Sequence, residues 1–505
     1  MAKNRNKKYM MHKYWGKKPA DELNNIVQKY SFEKDLLLDP FAGYGGFSSE
    51  AVLLNRNVIS NDLNPISNFI NKVLLLDEID FKKVDDMIKI LELKVKSYEE
   101  KWYSYDGKII TTALRTQKDE IINLRIKEGK KIKEVGQLDK SYIGKYENFE
   151  KNYKITEWFP KDKLIINSRI SARDGMTIVD LFPKRALACH AKLLSVIHEF
   201  ENGNEKDLFL LAFTSNVANC SKLVPPIKSR GEMSQGAWMT GFYIGETYLE
   251  NNVFHYYINR IKKIMAGKKE YLEELELLAD KGEFKITNED AKKLSIADNT
   301  IDLVFTDFPY GDVVPYFEQS VLWNAWMKFN VNYEDEIVIS DSKDRKKTKE
   351  EFKKEIYQAI FEINRVLKVN KYFIFTFHSL SGFEWSVLVN SLIKIGFVIE
   401  DSKLLVQKTL PPRQLTRKNT VKGDMLVVCK KECSDLKKDS LSVRSKKEIQ
   451  EIFKKIIQRG AYYTNDIIVY FLKEIFRERY LIGENNIFNE LGNVADFDGE
   501  GWILK

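Results

Sequence analysis

The sequence predicts an α/β fold in which a parallel sheet is interrupted by a long inserted region and followed by a helical tail. Short apolar runs alternate with amphipathic helical patterns in two separate parts of the chain, at residues 36–75 and 284–431. A stretch of about 200 residues with a different pattern separates them, which is too long for a simple loop. The last part of the chain is charged and helical in pattern. A length of 505 residues provides for two to four domains.

The first part predicts two strands joined through a glycine-rich turn and a helix. "LLLDP" at 36–40 has the pattern of a buried parallel strand, and "FAGYGGFSSEAVLLN" follows as a turn that opens a helix. "NVISNDLNP" is a second strand that ends at Asp62. This order is typical of a Rossmann-like nucleotide-binding unit. The turn departs from GxGxxG because Ser48 takes the place of the third glycine, which disfavours a dinucleotide phosphate site.

The pattern changes near residue 80 and returns to α/β near residue 284. "FKKVDDMIKILELKVKSYEEKW" predicts a long helix, followed by a lysine-rich stretch with turn signals, two helical segments and the loop "PPIKSRGEMSQGAW". We therefore expect four parts: the N-terminal part of the sheet domain, an inserted region, the C-terminal part of the sheet domain, and a tail, over residues 1–80, 81–283, 284–432 and 433–505.

The second α/β part predicts the remaining strands. "FKITNEDA" is a strand that leads to Asp290, and "TIDLVFTDFPY" is a strand that ends at Asp307. A helix over "KEEFKKEIYQAIFEINRVLK", the strand "KYFIFTFH", the helix "WSVLVNSLIKIG" and the final strand "GDMLVVCKK" follow.

Composition narrows the class of protein. The net charge of +8 is mild for this length, so it permits a polyanionic partner without requiring one. Four cysteines without a neighbouring histidine cluster disfavour a zinc site and favour a reducing compartment. The N-terminus shows no signal peptide, and no apolar run is long enough to span a membrane. We expect a soluble, intracellular protein.

Three aspartates follow strands of the same predicted sheet. Asp39, Asp62 and Asp290 should meet at the carboxyl edge, where such sheets bind ligands. A single aspartate there is more often a helix cap, so the series carries the prediction. Gly43 and Gly45 allow the backbone to turn sharply and approach a ligand. A carboxylate at these positions suits an ammonium group, a ribose or an adenine amine.

The tetrapeptide "DFPY" places two acceptors side by side. Phe308 precedes Pro309 and is held extended, so its carbonyl lies in a fixed direction near the Asp307 carboxylate. Two adjacent acceptors suit an –NH2 donor, and Tyr310 offers a flat face on which a ring can stack. A proline-containing β-turn without function is the alternative.

These motifs together resemble an S-adenosylmethionine-dependent DNA amino-methyltransferase of the adenine-N6/cytosine-N4 group. "DPFAGYGG" is similar to its D-P-F-x-G-x-G loop, "DFPY" to its D-P-P-Y tetrapeptide, and "MHKYWGKKP" to its aromatic-basic segment. The resemblance covers residues 8–75 and 284–430, with fainter similarity over 160–222. Phe308 departs from the pattern by replacing the first proline, although the backbone carbonyl remains.

The resemblance implies a methyltransferase sheet, the cofactor S-adenosylmethionine and a set of site residues. It places the cofactor on Asp39, Pro40, Phe41, Gly43, Gly45, Asp62 and Asp290, with Tyr14, Trp15 and Lys17 closing the far side. It places the target amine on Asp307, Phe308, Pro309 and Tyr310, with neither a metal nor a nucleophilic cysteine. Because the chemistry needs the carbonyl of residue 308, we expect Phe308→Pro to be tolerated or mildly activating.

The implied partner is double-stranded DNA with the target base flipped out of the helix. Its phosphates require cations, and the inserted region should hold target recognition. The candidates are Lys130, Lys131, Lys228, Arg230, Arg413, Arg417 and Lys418, although any single basic run is more often a solvated surface. The implied setting is the prokaryotic cytoplasm, associated with the nucleoid, with a cognate restriction endonuclease or defence system as a further partner.

Adenine N6 is favoured over cytosine N4, because adenine enzymes are the more frequent in the resembling group. Two other functions stay open. One is a tRNA or rRNA base amino-methyltransferase, since a similar tetrapeptide occurs among tRNA enzymes. The other is a non-catalytic DNA-binding relative, for which the substitution at Phe308 is the only support.

Overall fold

The computed structural model describes residues 6–378, 382–405, 423–433, 443–483 and 487–505. The strands are β1 (Leu36–Asp39), β2 (Asn57–Asn61), β3 (Ser104–Tyr105), β4 (Lys108–Thr116), β5 (Ile121–Glu128), β6 (Lys131–Val135), β7 (Thr247–Asn251), β8 (Phe284–Thr287), β9 (Ile301–Asp307), β10 (Leu367–Phe377), β11 (Phe397–Leu405), β12 (Asp424–Lys431), β13 (Val443–Arg444), β14 (Leu481–Ile482), β15 (Ala495–Phe497) and β16 (Trp502–Leu504).

The helices are α1 (Ala20–Tyr30), α2 (Gly46–Leu53), α3 (Pro65–Leu75), α4 (Phe81–Trp102), α5 (Lys140–Asn152), α6 (Lys184–His198), α7 (Asn204–Val217), α8 (Val253–Glu276), α9 (Tyr316–Trp326), α10 (Lys349–Val366), α11 (Phe383–Ile395), α12 (Lys446–Gln458), α13 (Thr464–Arg477) and α14 (Ile487–Val494). None of these helices combines the length and the apolar composition that crossing a membrane requires.

Seven strands form the central sheet in the order β11-β12-β10-β9-β1-β2-β8. The pairs from β10 to β8 are parallel, whereas β12 runs antiparallel to both of its neighbours. The predicted α/β class is therefore confirmed, with a mixed sheet rather than a purely parallel one. The edge strand β11 was not predicted, because "FVIEDSKLL" alternates charged and apolar residues without a clear run.

The order of the strands reverses between β1 and β9. From β1 the chain moves outward to β2 and β8, and from β9 it moves the other way to β10. Leu38 pairs with Val304 across this boundary, so the carboxyl ends of β1 and β9 lie side by side. In open α/β sheets, ligands bind outside the carboxyl ends of the strands at such a switch point.

The inserted region, residues 81–283, lies between α3 and β8 and contains a second sheet. Strands β3 to β6 follow one another as antiparallel neighbours, and β7 pairs with β4. The lysine-rich stretch is therefore a strand pair, with Lys130 in its turn and Lys131 opening β6. Buried residues of this region share one hydrophobic core with α3 and α9. The boundaries of the four parts stay a prediction.

The tail packs against the side of the sheet that carries α10 and α11, in a second core that includes α12 and α13. The Asn390 amide of α11 anchors it, donating to the Ile482 carbonyl at 2.7 Å and accepting from the Ile482 amide at 2.9 Å. The tail is helical in large part, as the sequence pattern indicates, but it also contains the short strands β13 to β16.

Candidate active site

One cleft at the carboxyl edge of the sheet collects four strand-end carboxylates. Its lining includes Asp39 at the end of β1, Asp62 after β2, Asp290 after β8 and Asp307 at the end of β9. Counted together with the open solvent at its mouth, the cleft encloses about 1050 Å³. The structure thus brings together side chains that lie up to 268 positions apart in the sequence.

The turn between β1 and α2 requires glycine at two positions. Gly43 and Gly45 have φ of 52° and 86°, in the left-handed region that favours glycine. A Cβ on Gly45 would lie 2.0 Å from Asn71 Oδ1, and the same amide donates to the Gly43 carbonyl at 2.8 Å. The close packing of α3 against this turn fixes the path of the backbone along the cleft.

Asp62 is held between this turn and the start of α3. Its Oδ2 accepts from the Gly43 amide at 2.8 Å, and its Oδ1 accepts from the Asn64 amide at 2.8 Å. The Ser67 hydroxyl lies 2.8 Å from Oδ2. Burial raises the pKa of Asp62, and these donors act against that rise. The carboxylate is therefore fixed in direction at the middle of the cleft.

Asp39 and Asp290 lie on either side of it. Oδ1 of Asp39 accepts from the Phe41 amide and from the Thr306 hydroxyl, both at 3.2 Å, and burial raises its pKa well above the usual range. Asp290 accepts from the Lys292 amide at 2.9 Å, and the Lys292 ammonium lies 3.3 Å from its Oδ2. The Lys292 side chain partly neutralises this end of the cleft.

The N-terminal aromatic-basic segment supplies a further part of the cleft lining. The Tyr14 ring stacks on Tyr316 of α9 at 6.2 Å, and Trp15 packs on Trp323 at 5.3 Å. The Trp15 indole N–H is buried and has no hydrogen-bond partner among the described residues. Tyr14, Trp15 and Lys17 all line the cleft, as do Pro40, Phe41 and Gly43, whereas Gly45 supports the turn from behind.

Lys17 does not reach the carboxylate of Asp307. Its ammonium donates to the backbone carbonyls of Tyr9 at 2.8 Å and His12 at 2.5 Å, and it lies 3.3 Å from the centre of the Tyr44 ring. Burial lowers the pKa of Lys17 to about 7. Its contacts tie the N-terminal segment to itself and to the glycine turn.

The neighbouring Lys18 contacts Asp307 instead. Its ammonium lies 3.0 Å from Asp307 Oδ1 and donates to Tyr310 Oη at 2.7 Å and to Asp424 Oδ2 at 2.8 Å. Burial alone would lower the pKa of Lys18, but Asp307 and Asp424 outweigh it and raise that pKa. Burial raises the pKa of Asp307 to about 6, while Lys18 pulls it back down. Thr376 also donates to Asp307 Oδ1, at 2.7 Å.

The other oxygen of Asp307, Oδ2, faces the backbone of Gly16. A Cβ at Gly16 would lie 2.8 Å from that oxygen, and Gly16 has φ of 73°. Only glycine therefore leaves space in front of Oδ2. The carbonyl of Phe308 receives no hydrogen bond from any residue in the described ranges. Oδ2 already accepts from the Tyr310 hydroxyl at 2.8 Å and has a second lone pair, so it and the Phe308 carbonyl are two neighbouring acceptors with spare capacity at the end of β9.

The ring of Phe308 points into the core and away from the cleft. It is fully buried and lies 5.3 Å from the Phe375 ring and 5.7 Å from the Phe41 ring. The Phe308 amide donates to the Thr376 carbonyl at 3.3 Å, which proline could not do. This environment argues against the expectation that Phe308→Pro is tolerated, because the exchange empties a packed position and removes a donor.

Tyr310 is not presented as a stacking surface in this conformation. Its side chain is only 9% exposed, its hydroxyl donates to Asp307 at 2.8 Å, and its ring packs edge-on against Phe377 at 6.0 Å. Pro309 lines the cleft, whereas Tyr310 lies behind the carboxylate. The stacking role remains a prediction and requires the ring to leave this position.

Sequence reasoning missed Lys18, Thr376, Asp424 and Glu336. Lys18 and Lys17 are adjacent identical residues, so residue type alone does not tell which one reaches Asp307. Asp424 begins the predicted final strand, and that position was the available signal. Glu336 lines the cleft and contacts Arg345, and burial followed by the charge of Glu318 raises its pKa to about 8.

None of the four described candidates for nucleic-acid binding lines the cleft. Lys130 and Lys131 are exposed on the turn between β5 and β6, and Lys228 and Arg230 are exposed on the loop before β7. The positions of Arg413, Arg417 and Lys418 fall outside the described residues. Within the described ranges no group of His, Cys, Asp and Glu is arranged to hold a metal ion.

Comparison with known families gives one match, over the N-terminal part of the chain. Residues 1–72 match the N6_N4_Mtase family model, described as DNA methylase. They contain the aromatic-basic segment, β1, the glycine turn and Asp62. The match supports methyl transfer to DNA as the class of activity. No curated protein matches the chain.

Solved structures with local similarity are methyltransferases of diverse kinds. A SAM-dependent methyltransferase from Methanosarcina mazei is 15% identical over 31% of this chain and 69% of its own, with a TM-score of 0.17. The rRNA methyltransferase aviRa from Streptomyces viridochromogenes is 8% identical over 82% and 86%, with a TM-score of 0.25. Geranyl diphosphate C-methyltransferase from Streptomyces coelicolor A3(2) is 8% identical over 56% and 96%, with a TM-score of 0.18. With scores this low, the fold assignment rests on the strand order itself.

Proposed function

We propose that this protein is an S-adenosylmethionine-dependent DNA methyltransferase that modifies an exocyclic amine of a base, adenine N6 or cytosine N4. The observation that carries the proposal is the pair of acceptors at the end of β9. The Asp307 carboxylate opens into the cleft lined by Asp39 and Asp62, and the unbonded Phe308 carbonyl follows it. The DNA methylase match over residues 1–72 supports the same assignment independently.

The side chains of the cleft fit S-adenosylmethionine. Asp39 offers a carboxylate for its ammonium group, Asp62 for a ribose hydroxyl and Asp290 for the adenine amine. The buried indole N–H of Trp15 lacks a partner in the described structure, and a ligand carboxylate in the cleft would satisfy it. When bound, the cofactor supplies a methyl group on a positively charged sulfur.

Asp307 and Phe308 orient the target nitrogen. The lone pair of an aromatic amine is delocalised into its ring, so the nitrogen is a weak nucleophile. Hydrogen bonds from its two N–H groups to Asp307 Oδ2 and the Phe308 carbonyl would hold those hydrogens and direct the lone pair toward the methyl group. Such positioning contributes several kcal/mol to a transfer reaction.

Asp307 can also accept the proton that the target nitrogen must lose. Its pKa of about 6 leaves it ionised at neutral pH, so it accepts hydrogen bonds first and a proton after transfer. Lys18 keeps this carboxylate ionised despite its burial. The reaction then needs neither a metal nor a covalent intermediate with the protein.

The substrate side of the proposal assigns DNA recognition to the inserted region. A base inside a duplex does not reach a cleft of this depth, so it has to be flipped at a cost of a few kcal/mol. Contacts to phosphates offset that cost, and the exposed cations of the inserted region, Lys130, Lys131, Lys228 and Arg230, are the described candidates.

The direct test incubates the protein with methyl-labelled S-adenosylmethionine and unmethylated duplex DNA, tRNA or no nucleic acid. The proposal predicts label in DNA, and digestion to nucleosides should then give N6-methyladenine or N4-methylcytosine. Label in tRNA but not in DNA would replace it with an RNA methyltransferase. Cofactor binding without transfer to either nucleic acid would mark a non-catalytic relative.

A further inference from the structure

A second pocket adjoins the cofactor cleft at the N-terminal segment, which contributes residues to both. It is bounded by that segment, by the end of α7, by α8 and by the loop before β7. Its lining includes three cations, Lys13, Lys17 and Arg260, and two indole rings, Trp238 and Trp323. Tyr9 and Lys17 line both the cleft and this pocket, so the two sites are neighbours.

Among the residues that the structure describes, none forms an ion pair with the cations of this pocket. Within the described ranges no carboxylate lies within ion-pair distance of Lys13, Lys17 or Arg260. Lys17 donates only to backbone carbonyls, and Lys13 lies 4.1 Å from the centre of the Trp238 ring. Partly buried cations are normally paired, so three together without an anion indicate a missing partner.

The electrostatics of neighbouring groups support this interpretation. Burial lowers the pKa of Arg260. Burial and the charges of Lys17 and Arg260 lower the pKa of His12 to about 3, so the histidine beside the pocket stays neutral. His12 bonds to the Lys13 carbonyl at 2.7 Å and to the Thr214 hydroxyl at 3.1 Å. Burial also lowers the pKa of Lys13 to about 8 and that of Lys17 to about 7, so at neutral pH the positive charge of the pocket comes mainly from Arg260 and Lys13 and only in part from Lys17.

Trp238 connects the pocket to the loop that the sequence predicts to contact nucleic acid. The loop doubles back on itself through a bridge between Pro226 and Gln235, and Lys228 and Arg230 are exposed at its tip. Beyond the bridge the chain continues to Trp238 over the pocket. The loop that carries Lys228 and Arg230 thus also contributes Trp238 to the lining of the pocket.

We propose that this pocket binds a phosphate group. Arg260 offers a planar fork of N–H donors and Lys13 a point charge, the two usual means of holding phosphate oxygens. Because the pocket lies beside the cofactor cleft, it suits a phosphodiester of the DNA strand that carries the target base. This choice of DNA as the source of the phosphate rests on the proposed function. Free inorganic phosphate has the same chemistry and is the other source.

The test compares Arg260→Ala and Lys13→Ala with Lys263→Ala, which removes an exposed lysine from the same helix, α8. DNA binding is measured by anisotropy of a labelled duplex at several salt concentrations, and cofactor binding is measured in parallel. Removing one phosphate contact lowers the slope of log K against log salt by about 0.9, and weakens binding about eightfold in 0.1 M salt. We expect this change in both pocket variants and none in Lys263→Ala.

A second arm measures the melting temperature of the wild-type protein and of Arg260→Ala with and without inorganic phosphate. Free phosphate would be identified as the source by two results together. The variants would leave the salt dependence of DNA binding unchanged, and phosphate would raise the melting temperature of the wild-type protein but not that of Arg260→Ala. No effect of the variants in either arm would overturn the site, and loss of cofactor binding in Arg260→Ala would assign the pocket to the cofactor. If wild-type protein fails to bind DNA, the proposed function fails, and the phosphate arm still tests the pocket.

Discussion

Replacing Lys18 with methionine should move the pH dependence of methyl transfer. In the proposed mechanism Asp307 accepts hydrogen bonds from the target amine only when it is ionised, and its pKa is about 6 with Lys18 beside it. Activity of the wild-type protein should therefore fall as the pH drops through about 6. Lys18→Met removes the cation 3.0 Å from Asp307 Oδ1 and leaves burial unopposed, so the pKa of Asp307 should rise.

The size of the shift follows from the separation. Two unit charges 3.0 Å apart attract by about 5.5 kcal/mol at an effective dielectric constant of 20, equivalent to about four pKa units. That value is an upper limit, because Lys18 also pairs with Asp424 and because water enters the space that the ammonium leaves. We expect an increase of about one to two units, which brings the pKa of Asp307 to about 7–8.

The assay is kcat/KM for labelled methyl transfer to duplex DNA between pH 5 and 9, which reports the free enzyme. The acidic limb should have its midpoint near 6 for the wild type and between 7 and 8 for Lys18→Met. Lys17→Met is the matched control, because Lys17 contacts backbone carbonyls rather than Asp307, and its midpoint should stay near 6. An identical midpoint in wild type and Lys18→Met would refute the role given to Lys18.

Three further substitutions test neighbouring parts of the account. Gly16→Ala places a methyl group 2.8 Å from Asp307 Oδ2. It should reduce the rate of single-turnover methyl transfer at least about tenfold while the protein stays folded. An unchanged rate would show that the target amine does not use Oδ2. Phe308→Pro should lower the free energy of unfolding in denaturant by about 3 kcal/mol, because it empties a buried ring position and removes the donor to Thr376. Phe308→Leu should destabilise the protein less. Equal stability of Phe308→Pro and wild type would contradict the packing. Glu336 has a pKa raised to about 8, so the folded state keeps its proton and loses stability as the pH rises from about 4.5 to about 8. Glu336→Gln should therefore flatten that decline in the free energy of unfolding by up to about 1.4 kcal/mol per pH unit. An unaltered pH dependence would show that Glu336 is ionised at neutral pH.

Strand-end acids were predictable because their position is a local property of the sequence. A short apolar run that closes on an aspartate specifies both a strand and the edge to which its side chain belongs, and Asp39, Asp62 and Asp307 all follow that rule. The order of the strands then brings the three together in one cleft. Most of the acidic side chains of the candidate site could therefore be predicted from the sequence.

The contacts across the cleft depended on information that is not local. The turn at Gly16 decides which of Lys17 and Lys18 reaches Asp307. Asp424 also contacts Lys18, although it lies more than 100 residues after Asp307 in the sequence. The phenyl ring of Phe308 could have faced the base or the core, and packing against Phe41 and its neighbours decides for the core. Residue type alone leaves such choices open.

The strands of the inserted region were missed for a different reason. β6 is short and exposed, with lysine and glutamate around Ile132, so its pattern favours a solvated loop as much as a strand, whereas β5 has an alternating pattern at Ile122, Leu124 and Ile126 that sequence reasoning overlooked. Pairing with β4, which is largely buried, makes β5 a strand. Tertiary context overrode a weak local signal, as is common for strands.

The most direct test of the central claim is methyl transfer by Asp307→Ala. Duplex DNA is incubated with methyl-labelled S-adenosylmethionine and wild-type protein, Asp307→Ala or Asp344→Ala, which removes an exposed carboxylate outside the cleft. We predict labelled N6-methyladenine or N4-methylcytosine with wild type and Asp344→Ala, none with Asp307→Ala, and equal cofactor affinity in all three. Undiminished transfer by Asp307→Ala, or loss of cofactor binding in parallel with transfer, would contradict the assignment of Asp307 to the target amine.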